Sequence, residues 1–290
     1  MASHLVVALI ALVVIGGATR VMEAGLACPD WPLCFGSFLP GRQMNVQVFL
    51  EWFHRLDAFL IGIALLVQFA VSIVFKTRLP KWLVWTYGIL LLIVAMQGAL
   101  GALTVLQLLP SVIVTAHLAL ALALVALMSG LSQLLLETNR TIAPTWWRLM
   151  SFTSLFLIIV QSLLGGRMAT TWSSHICLIN GENCQLLDLH RFFAIFVTLF
   201  ILVFVGTSLY ASEWSRQQWP LLGLVVFFLG VQVFLGVTSI HFQLSEPVLT
   251  VSHQLVAALL VAFLSALSFR RPELSDSVLV RNSILEACHG

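Results

Sequence analysis

Long apolar runs, broken by short polar stretches, organise the chain. Eight of them, at 4–20, 51–75, 82–106, 112–136, 149–166, 189–212, 219–240 and 249–269, approach or exceed the roughly 20 residues a helix needs to cross a bilayer. No apolar–polar alternation of period two competes with them. The pattern predicts an all-α integral membrane protein of eight transmembrane helices. The first run has no charged segment ahead of it, as a signal peptide would, and no Arg- and Ser-rich transit sequence precedes it. It is read as a helix.

Composition agrees. Of 290 residues 60% are hydrophobic and 9% charged, with mean hydropathy +1.03, against about 25% charged in a soluble domain. A net charge of +2 points to no nucleic-acid partner. Placement of the basic residues says more. Eight spans return the C-terminus to the side of the N-terminus. That side carries Lys76, Arg78, Lys81, Arg140, Arg148, Arg216, Arg270, Arg271 and Arg281; the other carries Arg20, Arg42, Arg55, Arg167 and Arg191. The bias predicts cytoplasmic termini. The connections at 21–50 and 167–188 then face outward. They hold Cys28 and Cys34, and Cys177 and Cys184, in a compartment that permits disulfides. Cys288, in the tail, is expected to be a free thiol.

The chain also repeats itself. His54–Arg55 recurs 136 residues on as His190–Arg191, and His117 as His253. The glycine motif 97–101 (QGALG) recurs as 232–236 (QVFLG), and Gly16–Gly17 as Gly165–Gly166. The expected organisation is an N-terminal four-helix half (1–140), a C-terminal four-helix half (141–275) and a cytoplasmic tail (276–290), the halves being parallel repeats. Glycines in these motifs, and in QSLLG at 161–165, are expected to allow close helix contact.

Ionisable residues within spans are rare and usually functional. His54, His117, His190 and His253 each lie near the outer start of a span, so each half offers two imidazoles at similar depth. Two histidines on facing helices suit a haem, whose ring supplies the other four ligands. A zinc ion would want further ligands nearby. The plainer alternative is four interfacial histidines satisfied by backbone or headgroups. Arg55 and Arg191, each following one of these histidines, either hold a haem propionate or snorkel to the headgroups.

The halves are not identical. Glu51 lies three residues before His54, on the same helix face, whereas the position 136 on is Leu187. A carboxylate beside one haem face only is a candidate acid, base or charge stabiliser. The alternative is a solvated acid at a helix N-terminus. Asp57, three residues after His54, is a weaker candidate.

Taken together, CPDWPLC (28–34), EWFHRLDAFLIG (51–62), QGALGALTV (97–105), HLALA (117–121), DLHRFFA (188–194) and VSHQLVA (251–257) resemble the haem A synthase family over about residues 5–270. The resemblance implies conversion of haem O to haem A for a terminal oxidase, a ring methyl becoming a formyl through successive hydroxylations and loss of water. It implies haem b on His190 and His253, substrate haem O between His54 and His117, and Glu51 as the essential acid. It also implies pairing of Cys28 with Cys34 and of Cys177 with Cys184. A bacterial plasma membrane is the expected location, membrane lipid the surroundings, and a haem O synthase a candidate partner. No electron donor or acceptor is legible. Three rivals remain open at this level: a bis-histidine b-type cytochrome that only passes electrons, a membrane thiol–disulfide oxidoreductase and a structural partner in oxidase assembly. The first leaves Glu51 idle. The second would want Cys-x-x-Cys pairs and cysteines within the spans.

Overall fold

The computed structural model describes residues 2–136, 142–182, 184–211 and 213–272. Ten α-helices account for most of them, and no strand occurs among the described residues. Eight helices are long and apolar enough to cross a membrane: α1 (Ala2–Val21), α2 (Val46–Val74), α3 (Lys81–Leu106), α4 (Ser111–Leu135), α5 (Thr145–Thr170), α7 (Gln185–Ala211), α9 (Trp219–His241) and α10 (Pro247–Phe269). Two short helices, α6 (Ser173–Asn180) and α8 (Glu213–Gln217), lie in connections. The protein is therefore an all-α integral membrane protein. Cys288 and the tail expected at 276–290, with Arg140, Arg281 and the 140/141 boundary, lie outside the described residues.

Prolines mark the helix starts. Pro80, Pro110 and Pro144 stand immediately before α3, α4 and α5, and Pro220 and Pro247 occupy the first turns of α9 and α10. There the missing N–H costs nothing. α2 instead starts on Asn45, whose side chain accepts the Val48 N–H at 2.9 Å. It therefore begins five residues before the apolar run that predicts it.

Helix ends at the cysteine-bearing face are built alike. Non-glycine residues adopt left-handed backbone at Glu23 and Trp172, after α1 and α5, and at Leu108–Leu109 and Gln243–Leu244, after α3 and α9. At three of these turns an N–H reaches back five residues: Ala24 to Thr19, Leu109 to Thr104 and Leu244 to Ser239. Such bonds satisfy the last helical carbonyls.

In the first half α1–α2, α2–α3, α3–α4 and α4–α1 pack side by side, and in the second α5–α7, α7–α9, α9–α10 and α10–α5. The diagonals α2/α4 and α7/α10 are not among the packed pairs. Between the halves, α4 lies along α10, with α1 on α10 and α5 on α4. The α4–α10 contact is reciprocal. Ser129 Oγ donates to the Ala262 carbonyl at 2.7 Å, and Ser265 Oγ to the Ala126 carbonyl at 2.5 Å. Buried Leu122, Val125, Met128, Leu260, Val261 and Leu264 fill the seam. Outward faces carry large exposed apolar side chains such as Phe59, Trp85, Phe192 and Val248, a surface suited to lipid.

Candidate functional site

All four histidines lie five to eight residues inside their helices, at the cysteine-bearing end. His54 is the deepest, about 12 Å from the start of α2, because that helix starts early. His54 and His117 stand on α2 and α4, and His190 and His253 on α7 and α10, the helices of the open diagonal in each four-helix half.

Each imidazole rests against a glycine of the preceding long helix. A Cβ at Gly16 would meet His54 Cε1 at 2.8 Å, at Gly101 would meet His117 Cε1 at 3.5 Å, and at Gly165 and Gly236 would meet Cε1 of His190 and His253 at 3.1 Å. The glycine motifs therefore serve the histidine rings. Gly17 and Gly166 face the other half instead: a Cβ on Gly17 would overlap the Gln254 amide, and one on Gly166 would lie 2.6 Å from Leu118.

Four residues before each of these ring-bearing glycines stand Leu12, Gln97, Gln161 and Gln232. In the second half both glutamines engage their histidines. Gln161 Nε2 lies 3.1 Å from His190 Nδ1 and 3.3 Å from Nε2, and donates to the His190 carbonyl at 3.0 Å. His253 Nδ1 lies 3.1 Å from the Gln232 carbonyl, and Gln232 Nε2 lies 3.2 Å from His253 Nε2. A single neutral tautomer, Nδ1–H donating and Nε2 accepting, satisfies both contacts of His253. In the first half, His54 Nδ1 and His117 Nδ1 are buried without a hydrogen-bond partner. In the sequence these glutamines read only as part of a packing motif. Their constant four-residue spacing before the glycine was the available signal.

These features fit a haem in each half. Each half has two imidazoles on the helices of an open diagonal and glycines that give the rings room. In the first half two Nδ1 atoms are also orphaned, and in the second one ring nitrogen of each histidine would exchange its glutamine contact for the iron. Among the described residues no group of three or more His, Cys, Asp or Glu could hold a bare metal ion.

Glu51 is 3% exposed and is directed at the first cysteine loop. Its Oε2 accepts the Cys28 N–H at 2.7 Å, and its Oε1 pairs with Arg55 at 2.5 Å. Arg55 also donates to the carbonyls of Asp30 and Leu33, each at 2.6 Å, and of Cys28 at 3.3 Å. Arg191 is half-exposed and faces Asp188 at 3.8 Å. Asp57 keeps one buried carboxylate oxygen without a partner.

Both cysteine loops are closed, by Cys28–Cys34 and Cys177–Cys184 disulfides. Within the first, the Asp30 carboxylate accepts the N–H groups of Phe35 (2.6 Å) and Gly36 (2.7 Å). The Gly36 N–H above all, with that of Phe35 and the Arg55 charge, holds its pKa below the usual carboxylate range. The second loop carries α6, with Cys177 in it.

A family model described as cytochrome oxidase assembly protein, COX15-CtaA, matches residues 2–265 and so takes in both histidine pairs, Glu51 and both loops. The chain belongs to the COX15-CtaA family. A heme A synthase of Shewanella oneidensis is 27% identical to this COX15-CtaA protein over 89% of this chain and 92% of its own length. That of Neorickettsia sennetsu is 26% identical over 87% of this chain and 92% of its own. That of Bradyrhizobium diazoefficiens is 31% identical over 58% of each. The family match covers nearly the whole stretch on which the sequence resemblance rests.

Proposed function

We propose that this COX15-CtaA protein is a haem A synthase, an oxidoreductase that converts haem O to haem A in the membrane. The observation that carries the reading is the asymmetry of two otherwise equivalent histidine pairs. Only the first has a buried carboxylate on its helix three residues away. His54 and His117 hold substrate haem O in the first half, and His190 and His253 hold haem b in the second. When bound, that haem supplies one-electron redox capacity. Glu51 handles charge or a proton as the ring methyl is oxidised to a formyl. The Gln232 carbonyl, accepting from His253 Nδ1, fixes that ring for a resident group, as partners of ligating histidines do; the glutamine amides at Nε2 of both rings would give way to the iron. The two halves are read as parallel repeats about an axis between α4 and α10, a reading supported by the reciprocal serine bonds. Termini on the cytoplasmic side and haem sites toward the outer face of a bacterial plasma membrane follow from the basic-residue bias. Haem O comes from a haem O synthase.

The test is chromatography with mass spectrometry of haems extracted from cells making this protein with a haem O synthase. A formyl haem that requires both is expected. Haem O and haem B alone, from a folded preparation, would point to an electron-transfer cytochrome. In the same assay Glu51→Gln is expected to retain haem b and lose haem A; normal haem A would remove Glu51 from the chemistry.

A further inference from the structure

Arg55 and Arg191 look alike in sequence, each the residue after a histidine ligand in a repeated motif. Their surroundings differ. Arg191 is half-exposed, whereas the Arg55 side chain is 15% exposed and four guanidinium contacts are already made. Three go to carbonyls of the 28–34 loop and the fourth to Glu51. A guanidinium has five N–H donors in a fixed fork, so little remains for a propionate. Removing these donors would also leave loop carbonyls without partners.

The loop depends on that anchorage. It contains no regular helix of its own, yet Cys28 and Cys34 are 0% and 1% exposed. Its attachments come from one stretch of α2. Glu51 takes the Cys28 N–H and Arg55 takes the three carbonyls. Nearby, Trp52 Nε1 donates to the Phe38 carbonyl at 2.7 Å and Gln47 Nε2 to the Met22 carbonyl at 3.0 Å. Residues 47, 51 and 55 are spaced by four and share one face. The second loop carries its own helix, α6, and satisfies backbone groups within it; among the described residues its arginine makes no comparable set of bonds.

We propose that Arg55 is a positioning residue: it seats the disulfide-closed loop on α2 as a fixed lid over the His54–His117 site and holds the Glu51 carboxylate beneath it. It is not the contact for a haem propionate. The assignment rests on the reading of that site as the place where haem O binds. Lysine cannot replace it fully, because an ammonium is a point charge without the planar fork that reaches several carbonyls at once.

The experiment uses full-length protein purified in detergent. Reduction of Cys28–Cys34 by a water-soluble phosphine is followed by maleimide labelling, with Cys177–Cys184 in the same molecules as the internal reference. Retained haem b absorbance checks folding, and haems extracted from cells with a haem O synthase report activity. Arg55→Ala is expected to speed reduction of Cys28–Cys34 by roughly tenfold or more, leave Cys177–Cys184 unchanged, and abolish haem A. Arg55→Lys is expected to fall between, and carries the test if Arg55→Ala does not fold. Wild-type protection of Cys28–Cys34 in both variants would overturn the proposal. So would normal protection with loss of bound haem O, which would return Arg55 to a propionate. If the unaltered protein makes no haem A yet Arg55→Ala still exposes Cys28–Cys34, the lid stands and the haem A synthase reading alone fails.

Discussion

A missing side chain sets how near an imidazole can come to the neighbouring helix. At Gly165 and Gly236 an added Cβ would sit 3.1 Å from a histidine ring carbon, so the ring must move by a few tenths of an ångström. Gly165→Ala and Gly236→Ala are expected to shift the haem b absorbance and lower its retention on heating. Gly98→Ala meets nothing within 4 Å and is expected to do neither. Asp30 is a residue-scale switch of a different kind. Its carboxyl is held below the ordinary range by the Gly36 and Phe35 N–H groups. Its contribution to the loop is therefore complete above the unfolded pKa of about 4, and fades as pH falls through the lower folded value. Protection of Cys28–Cys34 from labelling is expected to be flat down to about pH 4 and to drop only below it. Asp30→Asn is expected to lower protection at neutral pH.

At the scale of elements, α2 matters most, because it carries His54, Glu51 and the side chains that hold the first cysteine loop. Sequence patterning starts it at 51, since the segment before that mixes polar and apolar residues without a clear stripe. Asn45 is the signal that was there to use: a cap residue whose side chain meets the Val48 N–H. The extra turn brings Gln47 into line with Glu51 and Arg55. Asn45→Ala is expected to cost about 1 kcal/mol of local stability, seen as several-fold faster reduction of Cys28–Cys34 with haem b retained. The rotation of α2 was not legible. Glu51 at three residues before His54 could face the haem or the loop, and packing against residues 28–34 turned it to the loop.

Across the whole molecule, the two halves meet where Ser129 and Ser265 bond each other's helix across α4 and α10. Interhelical bonds of this kind are worth about 0.6 kcal/mol on average in membranes. Ser129→Ala and Ser265→Ala are therefore expected to lower the temperature at which haem b is released by similar, small amounts. A large effect from one alone would speak against an equivalent role for the two serines. Gly17 and Gly166 lie in the same interface, against Gln254 and Leu118.

The sequence alone determined the eight spans and singled out four histidines and four cysteines at one end of them; the cysteine pairing came from the family resemblance. Long apolar runs have one way to satisfy their backbone in lipid, and rare ionisable or sulfur-bearing residues stand out against such a background. It also located the difference between the halves at Glu51. What the glutamines, glycines and two arginines touch was decided by tertiary structure. Those contacts depend on helix rotation and on loops with few local constraints, and a sequence that reads apolar all round a helix leaves rotation open. Arg55 and Arg191 carry the same motif. One is enclosed by a loop with carbonyls to satisfy, and the other stands beside a loop that folds its own helix.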